Sequence, residues 1–364
     1  MEQIVLYGKE GLETIIRQQE INHIFLVCGK SSYEQSGAAE FIRALPVHSE
    51  RFSDFSPNPK YEEICRGLAA FKASGSKVIL AVGGGSSIDV AKCIRLYTSM
   101  DETKPFYLQE GCDTDVLLLA VPTTAGSGSE STSHAVMYRE GIKQSISRSY
   151  LRPAYAILEP EFLYSLPIKQ KKSTLLDALC QGIESYWAKG ATKESRIYAT
   201  ESIRMIAKYW KSYVFEDCRY REIMYAANLS GKAIHISRTT APHALSYGLT
   251  SLYGINHGHA AALCMEQVWK YMLEQADKAK DKHTKMAESL TCCLNSISTI
   301  MPYQGFCEIM NALEMEKPLS KDKEGDIAIL AGKVNVERLG NHPIVLDKQT
   351  IVHFYERIVK QVED

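Results

Sequence analysis

A chain of 364 residues has room for two domains, because a single hydrophobic core usually stops growing near ~250–300 residues. Its 42 Lys and Arg nearly cancel 43 Asp and Glu and form no basic block, which argues against nucleic acid or a membrane surface as partner and for a small molecule. Ten cysteines without a C-x-x-C pair fit reduced thiols better than a disulfide framework, and no cysteine metal cluster is expected. The amino terminus, MEQIVLYGKEGLETII, carries acidic residues and no long apolar core, so it reads as mature protein. Apolar runs such as VLLLAV (116–121) are strand length, too short to cross a bilayer, and a cytoplasmic protein is expected.

Along the first part of the chain, short β-branched runs alternate with helical stretches. HIFLVC (23–28) is followed by a helix after SSYEQSG, then by VILAV (78–82), VAKCIRLYTSM and VLLLAV. This rhythm predicts βαβ units and a Rossmann-like parallel sheet. Past LEPEFLYSLP (158–167) the strand signals end, and helix-forming stretches such as STLLDALCQGIESYWAK take over. Two prolines, Pro160 and Pro167, bracket a turn between the patterns. The expected division is an α/β domain over 1–163 and an all-α domain over 164–364.

HIFLVC ends in Gly29, Lys30, Ser31 and Ser32. An acidic residue at such a strand end commonly takes the ribose 2′-hydroxyl of NAD, and its absence leaves room for a 2′-phosphate, favouring NADPH over NADH. A plain turn with a solvated lysine is the bland alternative. VILAVGGGSSIDVAK (78–92) reads as a strand, a glycine turn and a helix start, where backbone N–H groups attract phosphate. The spacing is not G-x-G-x-x-G. A second loop after a strand, VPTTAGSGSES (121–131), is also crowded with glycines and hydroxyls, and two such loops together suggest a pyrophosphate crevice.

In LLDALCQGIES (175–185) a helix would set Asp177 and Gln181 four residues apart on one face, the spacing of a shared metal ion. Histidine would be the ordinary second ligand where Gln181 stands. His235, His243, His257 and His259 fall within 25 residues. Asp177 with His243 and His257 makes a sound divalent-metal set with a position left open. His235 and His259 read as packing histidines.

GGGSSIDVAK, PTTAGSGSE, DALCQGIESY, PHAL and NHGHA resemble, in order and spacing, the iron-containing (group III) alcohol dehydrogenases. The likeness runs from YGKEGLETI to NHPIVLDKQTI. It implies a dehydroquinate synthase-like architecture, a nicotinamide cofactor, a divalent metal such as Fe2+ or Zn2+, and a homodimer. By motif position, Asp177, His243 and His257 resemble the metal ligands, with Gln181 where the family usually has a fourth, histidine. Gly84, Gly85, Ser86, Asp89, Thr123, Thr124, Ser127 and Lys143 resemble the cofactor contacts, to which Gly29 to Ser32 and Asn58 are added.

Tyr247 stands where many members have another histidine, and proton delivery is assigned to Tyr247 or to a water chain through His259. RFSDFSPNPKYEEI, TTAPHALSYGLT and HGHAAAL are most similar to the phosphonoacetaldehyde reductase branch, in which this glutamine also occurs. The function implied is reversible hydride transfer between NADPH and a small aldehyde, phosphonoacetaldehyde foremost. A sugar-phosphate cyclase-like lyase that retains NAD and a non-catalytic cofactor-binding protein are the alternatives. An amide oxygen is a weaker donor than imidazole, so the metal should be held less tightly, and an anionic substrate would compensate. Arg148, Arg152, Lys232 and Arg238 adjoin the motifs as candidates for its anion site.

Overall fold

Apolar segments buried along their whole length, such as Val78–Gly83, belong inside a sheet covered on both faces. The computed structural model describes residues 2–279, 285–334 and 336–362, and the chain divides into two compact units, Met1–Leu166 and Pro167–Asp364. The first unit contains β1 (Ile4–Tyr7), α1 (Lys9–Gln18), β2 (His23–Cys28), α2 (Ser32–Gln35), α3 (Ala38–Ala44), β3 (His48–Phe52), α4 (Tyr61–Ser74), β4 (Val78–Gly83), α5 (Gly85–Tyr97), β5 (Leu117–Pro122), β6 (His134–Arg139), β7 (Ile142–Ser147) and β8 (Tyr155–Leu158).

Six strands pair in parallel in the order β1-β8-β5-β4-β2-β3. Because side chains alternate along a strand, Phe25, Val27, Ile79 and Ala81 join one core, whereas Ile24, Leu26, Leu80 and Val82 join the core on the other face. Burying each large aliphatic side chain contributes roughly 1.5–3 kcal/mol. From β2 the chain steps outward to β3 and returns to β4 on the other side of β2. The strand order therefore reverses between β2 and β4, where open α/β sheets bind ligands beyond the carboxyl ends of the strands.

β6 and β7 form an antiparallel hairpin outside this sheet. Its two-residue turn, Glu140 and Gly141, has φ of 52° and 76°, the left-handed pair that suits the twist of a hairpin.

The second unit contains α6 (Ile168–Trp187), α7 (Lys193–Phe215), α8 (Tyr220–Ser237), α9 (Ala241–Tyr253), α10 (His257–Lys278), α11 (Lys285–Ser298), α12 (Tyr303–Ala312), β9 (Leu319–Ser320), α13 (Lys323–Gly332), α14 (Val336–Gly340), α15 (Lys348–Ile358) and β10 (Lys360–Gln361). It is helical except for the parallel pairing of β9 with β10, which is too short to leave a periodic signal. α9 opens at Ala241, so His243 lies inside its first turn. Pro242 suits that turn because no intrahelical partner awaits its missing N–H. Among the described residues, no helix is long and apolar enough to cross a membrane.

Candidate active site

On α6 the spacing of Asp177, Gln181 and Glu184 puts three polar side chains on one buried face. Such a face is costly unless each group has a partner, and the partners come from α8, α9 and α10. The ligating atoms of Asp177, His243 and His257 lie within 4.8 Å of one another. His243 Nε2 stands 3.2 Å from Asp177 Oδ1, and the rings of His243 and His257 meet edge to face at 5.2 Å. Gly258 makes the approach possible, since a Cβ there would lie 2.0 Å from the Ser173 carbonyl oxygen and 2.7 Å from Asp177 Cβ. One carboxylate and two imidazoles, converging from three helices, suit a divalent ion of the zinc or iron type.

Behind His243 stands Glu184, which is fully buried. Its Oε1 accepts from Thr240 N at 2.8 Å, Thr240 Oγ1 at 3.1 Å and His243 N at 3.2 Å, while Oε2 pairs with His243 Nδ1. A carboxylate on Nδ1 leaves Nε2 as the nitrogen presented to an ion. Burial alone would lower the pKa of His243, but Glu184 and then Asp177 outweigh it and push the imidazole up to about 9. Sequence reasoning missed Glu184. The signal was its position seven residues after Asp177, on the same helical face.

In the first unit the two glycine loops adjoin. A Cβ on Gly84 would meet Thr124 Cγ2 at 3.3 Å, and one on Gly85 would meet Ser127 Oγ at 2.9 Å. The loops are tied together at their base, where Thr123 N donates to the Gly83 carbonyl at 3.1 Å. Ser86, in the first turn of α5, is partly exposed beside them. Gly29 joins the same end of the sheet, its amide 3.9 Å from the position of a Cβ on Gly83. These are the close backbone approaches that a phosphate cradle needs, at the N-terminus of a 13-residue helix.

Asp89 plays a different part from a plain contact. Its carboxylate accepts from Ser129 Oγ at 2.6 Å and Val136 N at 3.1 Å, bracing the second loop and the hairpin against α5. Lys143 lies near enough to act on that carboxylate electrostatically. Lys30 pairs with Asp54 at 3.6 Å, and Ser31 and Ser32 are exposed. Asn58 has φ of 60°, in the turn before Lys60 bridges to Tyr138. Arg51, not singled out by its sequence, reaches back from β3 to donate to the carbonyls of Gly29 at 3.1 Å and Lys30 at 2.9 Å.

Comparison with known proteins finds family matches in both units of the chain. Residues 3–160 match the iron-containing alcohol dehydrogenase model, and residues 171–359 match the C-terminal model of the Fe-containing alcohol dehydrogenase family. The chain belongs to the iron-containing alcohol dehydrogenases. Phosphonoacetaldehyde reductase of Streptomyces viridochromogenes is 32% identical over 222 residues, 57% of this chain and 55% of that protein, so this match spans little more than half of the relative. The 1-propanol dehydrogenase of Salmonella typhimurium is 27% identical over 79% of this chain and 77% of its own. The crystal structure of sulfoacetaldehyde reductase from Bifidobacterium kashiwanohense in complex with NAD+ has a TM-score of 0.84 at 26% identity, covering 98% of this chain and 96% of that one.

Membership makes the chain an oxidoreductase that interconverts an alcohol and an aldehyde with a nicotinamide cofactor and a divalent metal. Within this iron-containing alcohol dehydrogenase, Gln181 Oε1 accepts from Ser230 Oγ at 3.1 Å, on the face that carries Asp177 and Glu184. Tyr247 lies flat against His257, centroids 5.4 Å apart and planes within 11°. The structure does not bring His259 to this group. Two residues past His257 on the helix, it lines a pocket with Lys172, Asn256 and the 313–319 segment. Of the cationic candidates, Arg148 pairs with Glu110 at 2.5 Å, Arg152 donates to Gln3 at 3.2 Å, and Lys232 stands over the Tyr198 ring.

Proposed function

We propose that this enzyme reduces a small anionic aldehyde, phosphonoacetaldehyde foremost, with NADPH as donor and a divalent ion held by Asp177, His243 and His257. The observation that carries the reading is the convergence of those three ligands beside a buried glutamine in place of a fourth imidazole. Support for an anionic substrate comes from two relatives named for phosphono- and sulfoacetaldehyde, each an acetaldehyde bearing an acid group.

When bound, the nicotinamide would supply the hydride and the divalent ion the Lewis acidity. The chain's own residues orient and tune. Glu184 fixes the tautomer of His243, and Tyr247 packs on His257 and limits its rotation. Burial raises the pKa of Tyr247, so its hydroxyl keeps its proton at neutral pH and serves as the proton source for the product alcohol. Gln181 offers an amide to substrate or ion without the grip of another imidazole. The exposed hydroxyls of Ser31 and Ser32, with Lys30, would hold the 2′-phosphate of NADPH.

The test is a comparison of kcat/KM on metal-reconstituted protein for phosphonoacetaldehyde, succinic semialdehyde, lactaldehyde and butyraldehyde, with NADPH and with NADH. The phosphonate should lead and oxidised cofactor should form in step with alcohol. Preference for butyraldehyde would overturn the substrate reading, and turnover without net cofactor oxidation would overturn the reductase.

A further inference from the structure

The amino ends of β2 and β3 carry a second group of metal-ligating side chains. In the parallel register, His23 faces His48 and Phe25 faces Glu50. Residues two apart on a strand share a face, as do cross-strand neighbours, so His23, His48 and Glu50 project together from one side of the strand pair. The imidazole rings lie 4.8 Å apart. His23 Nε2 is 3.3 Å from Glu50 Oε1, and His48 Nε2 is 3.9 Å from the same oxygen. One ligand atom from each of the three lies within 4.8 Å of the others.

That spacing is close to what an ion requires. With bonds of ~2.0–2.1 Å, neighbouring ligands of a tetrahedral ion stand roughly 3.3–3.4 Å apart. The His23 to Glu50 edge already has this length, and the exposed His48 can turn inward to shorten the other two. The backbone beneath is fixed, since His48 N donates to the Asn22 carbonyl at 2.9 Å and Ser76 Oγ donates to the His23 carbonyl at 3.1 Å.

An ordinary surface ion pair is the competing explanation, and it leaves one feature unexplained. His23 Nε2 is closed off from solvent yet makes no hydrogen bond, although Glu50 Oε1 stands 3.3 Å away. A buried imidazole nitrogen without a partner is an unfavourable arrangement that a metal bond would relieve. We propose that His23, His48 and Glu50 form a second binding site for a divalent transition ion, with the remaining coordination position left to water. Two imidazoles and one carboxylate select zinc, nickel or copper over magnesium or calcium.

The site's place in the fold assigns its role. β2 separates it from Gly29 by the length of a six-residue strand, roughly 20 Å. β3 is the outermost strand on that side of the sheet and is held by β2 alone. An ion bridging the two would staple the edge of the sheet without touching the reaction.

The experiment measures zinc per chain, using untagged full-length protein stripped with chelator, dialysed against excess zinc and analysed for bound metal. The wild type should hold one equivalent more than either His48→Ala or Glu50→Gln, whatever the occupancy of the Asp177 site. Both variants alter exposed side chains, so folding is preserved, and their reductase activity should equal that of the wild type. A cobalt-loaded His243→Ala chain should retain a visible d–d absorption band that disappears when His48→Ala is added. Equal zinc content in the wild type and both variants would overturn the second site.

Discussion

Glu184 determines which nitrogen His243 offers, and that control can be measured apart from catalysis. Glu184→Gln keeps the shape but removes the charge facing Nδ1, so it should weaken zinc binding ~10–100-fold, read by competition with a chelator. Unchanged affinity would show that Thr240 and the helix start position His243 unaided. Gln181→His is expected to act in the opposite direction. A further imidazole at the i, i+4 position from Asp177 adds a bond, so chelator competition should show tighter metal. The same variant should lower kcat/KM for phosphonoacetaldehyde relative to butyraldehyde, since the amide and its room are lost. A metal affinity and substrate ratio both unmoved would mean that Gln181 serves Ser230 only. Asp177, His243 and His257 were legible as candidate ligands because residue type, the first-turn places of the two histidines and the i, i+4 spacing of Asp177 within its helix are local features. Glu184 was not, because the need for it arises from a histidine 59 residues away.

Among the elements, those that bury both faces were readable and those at the margins were not. β2, β4 and β5 are continuous apolar runs, whereas β3 reads HSERF and is exposed except at Phe52, as an edge strand can be. The β6–β7 hairpin escaped notice because its turn is Glu-Gly in place of the usual Asn-Gly or Asp-Gly. α5 brings a prediction of its own. At Gly85 the Cβ of Gly85→Ala would lie 2.9 Å from Ser127 Oγ and 3.2 Å from Ser127 Cβ, so Ser127 must turn its hydroxyl and give way by a few tenths of an ångström. Overpacking of this kind costs ~1–3 kcal/mol, and the dissociation constant for NADPH by fluorescence titration should rise about tenfold or more. Wild-type affinity would place the pyrophosphate away from these loops. At the end of β2, Gly29→Asp should shift the ratio of NADPH to NADH use toward NADH, because a carboxylate repels a 2′-phosphate and accepts from a 2′-hydroxyl. A Cβ there meets only the Ser32 hydroxyl, at 2.3 Å, and that group can rotate away. An unchanged ratio of kcat/KM for the two cofactors would move the ribose elsewhere.

For the whole molecule, the change from short β-branched apolar runs to long helix-forming stretches marked two units in the sequence, because strands buried on both faces and amphipathic helices leave different patterns. The units also divide the chemistry. The candidate ligands Asp177, His243 and His257 lie in Pro167–Asp364, and the glycines of the proposed nucleotide crevice lie in Met1–Leu166. Each unit has its own core, so removal of a ligand should not propagate into the sheet. His257→Ala tests this with the least structural risk, since His257 is only half-buried at the first position of α10 and its loss leaves the His243–Glu184 pair intact. The variant should lose tightly held metal and aldehyde reduction together, while its NADPH dissociation constant stays within about twofold of the wild type, a difference of only ~0.4 kcal/mol. Circular dichroism and thermal melting would register any collapse of the helical unit. If NADPH affinity falls in step with the metal while the fold is intact, cofactor binding depends on the metal group, and the two units do not bind their ligands independently.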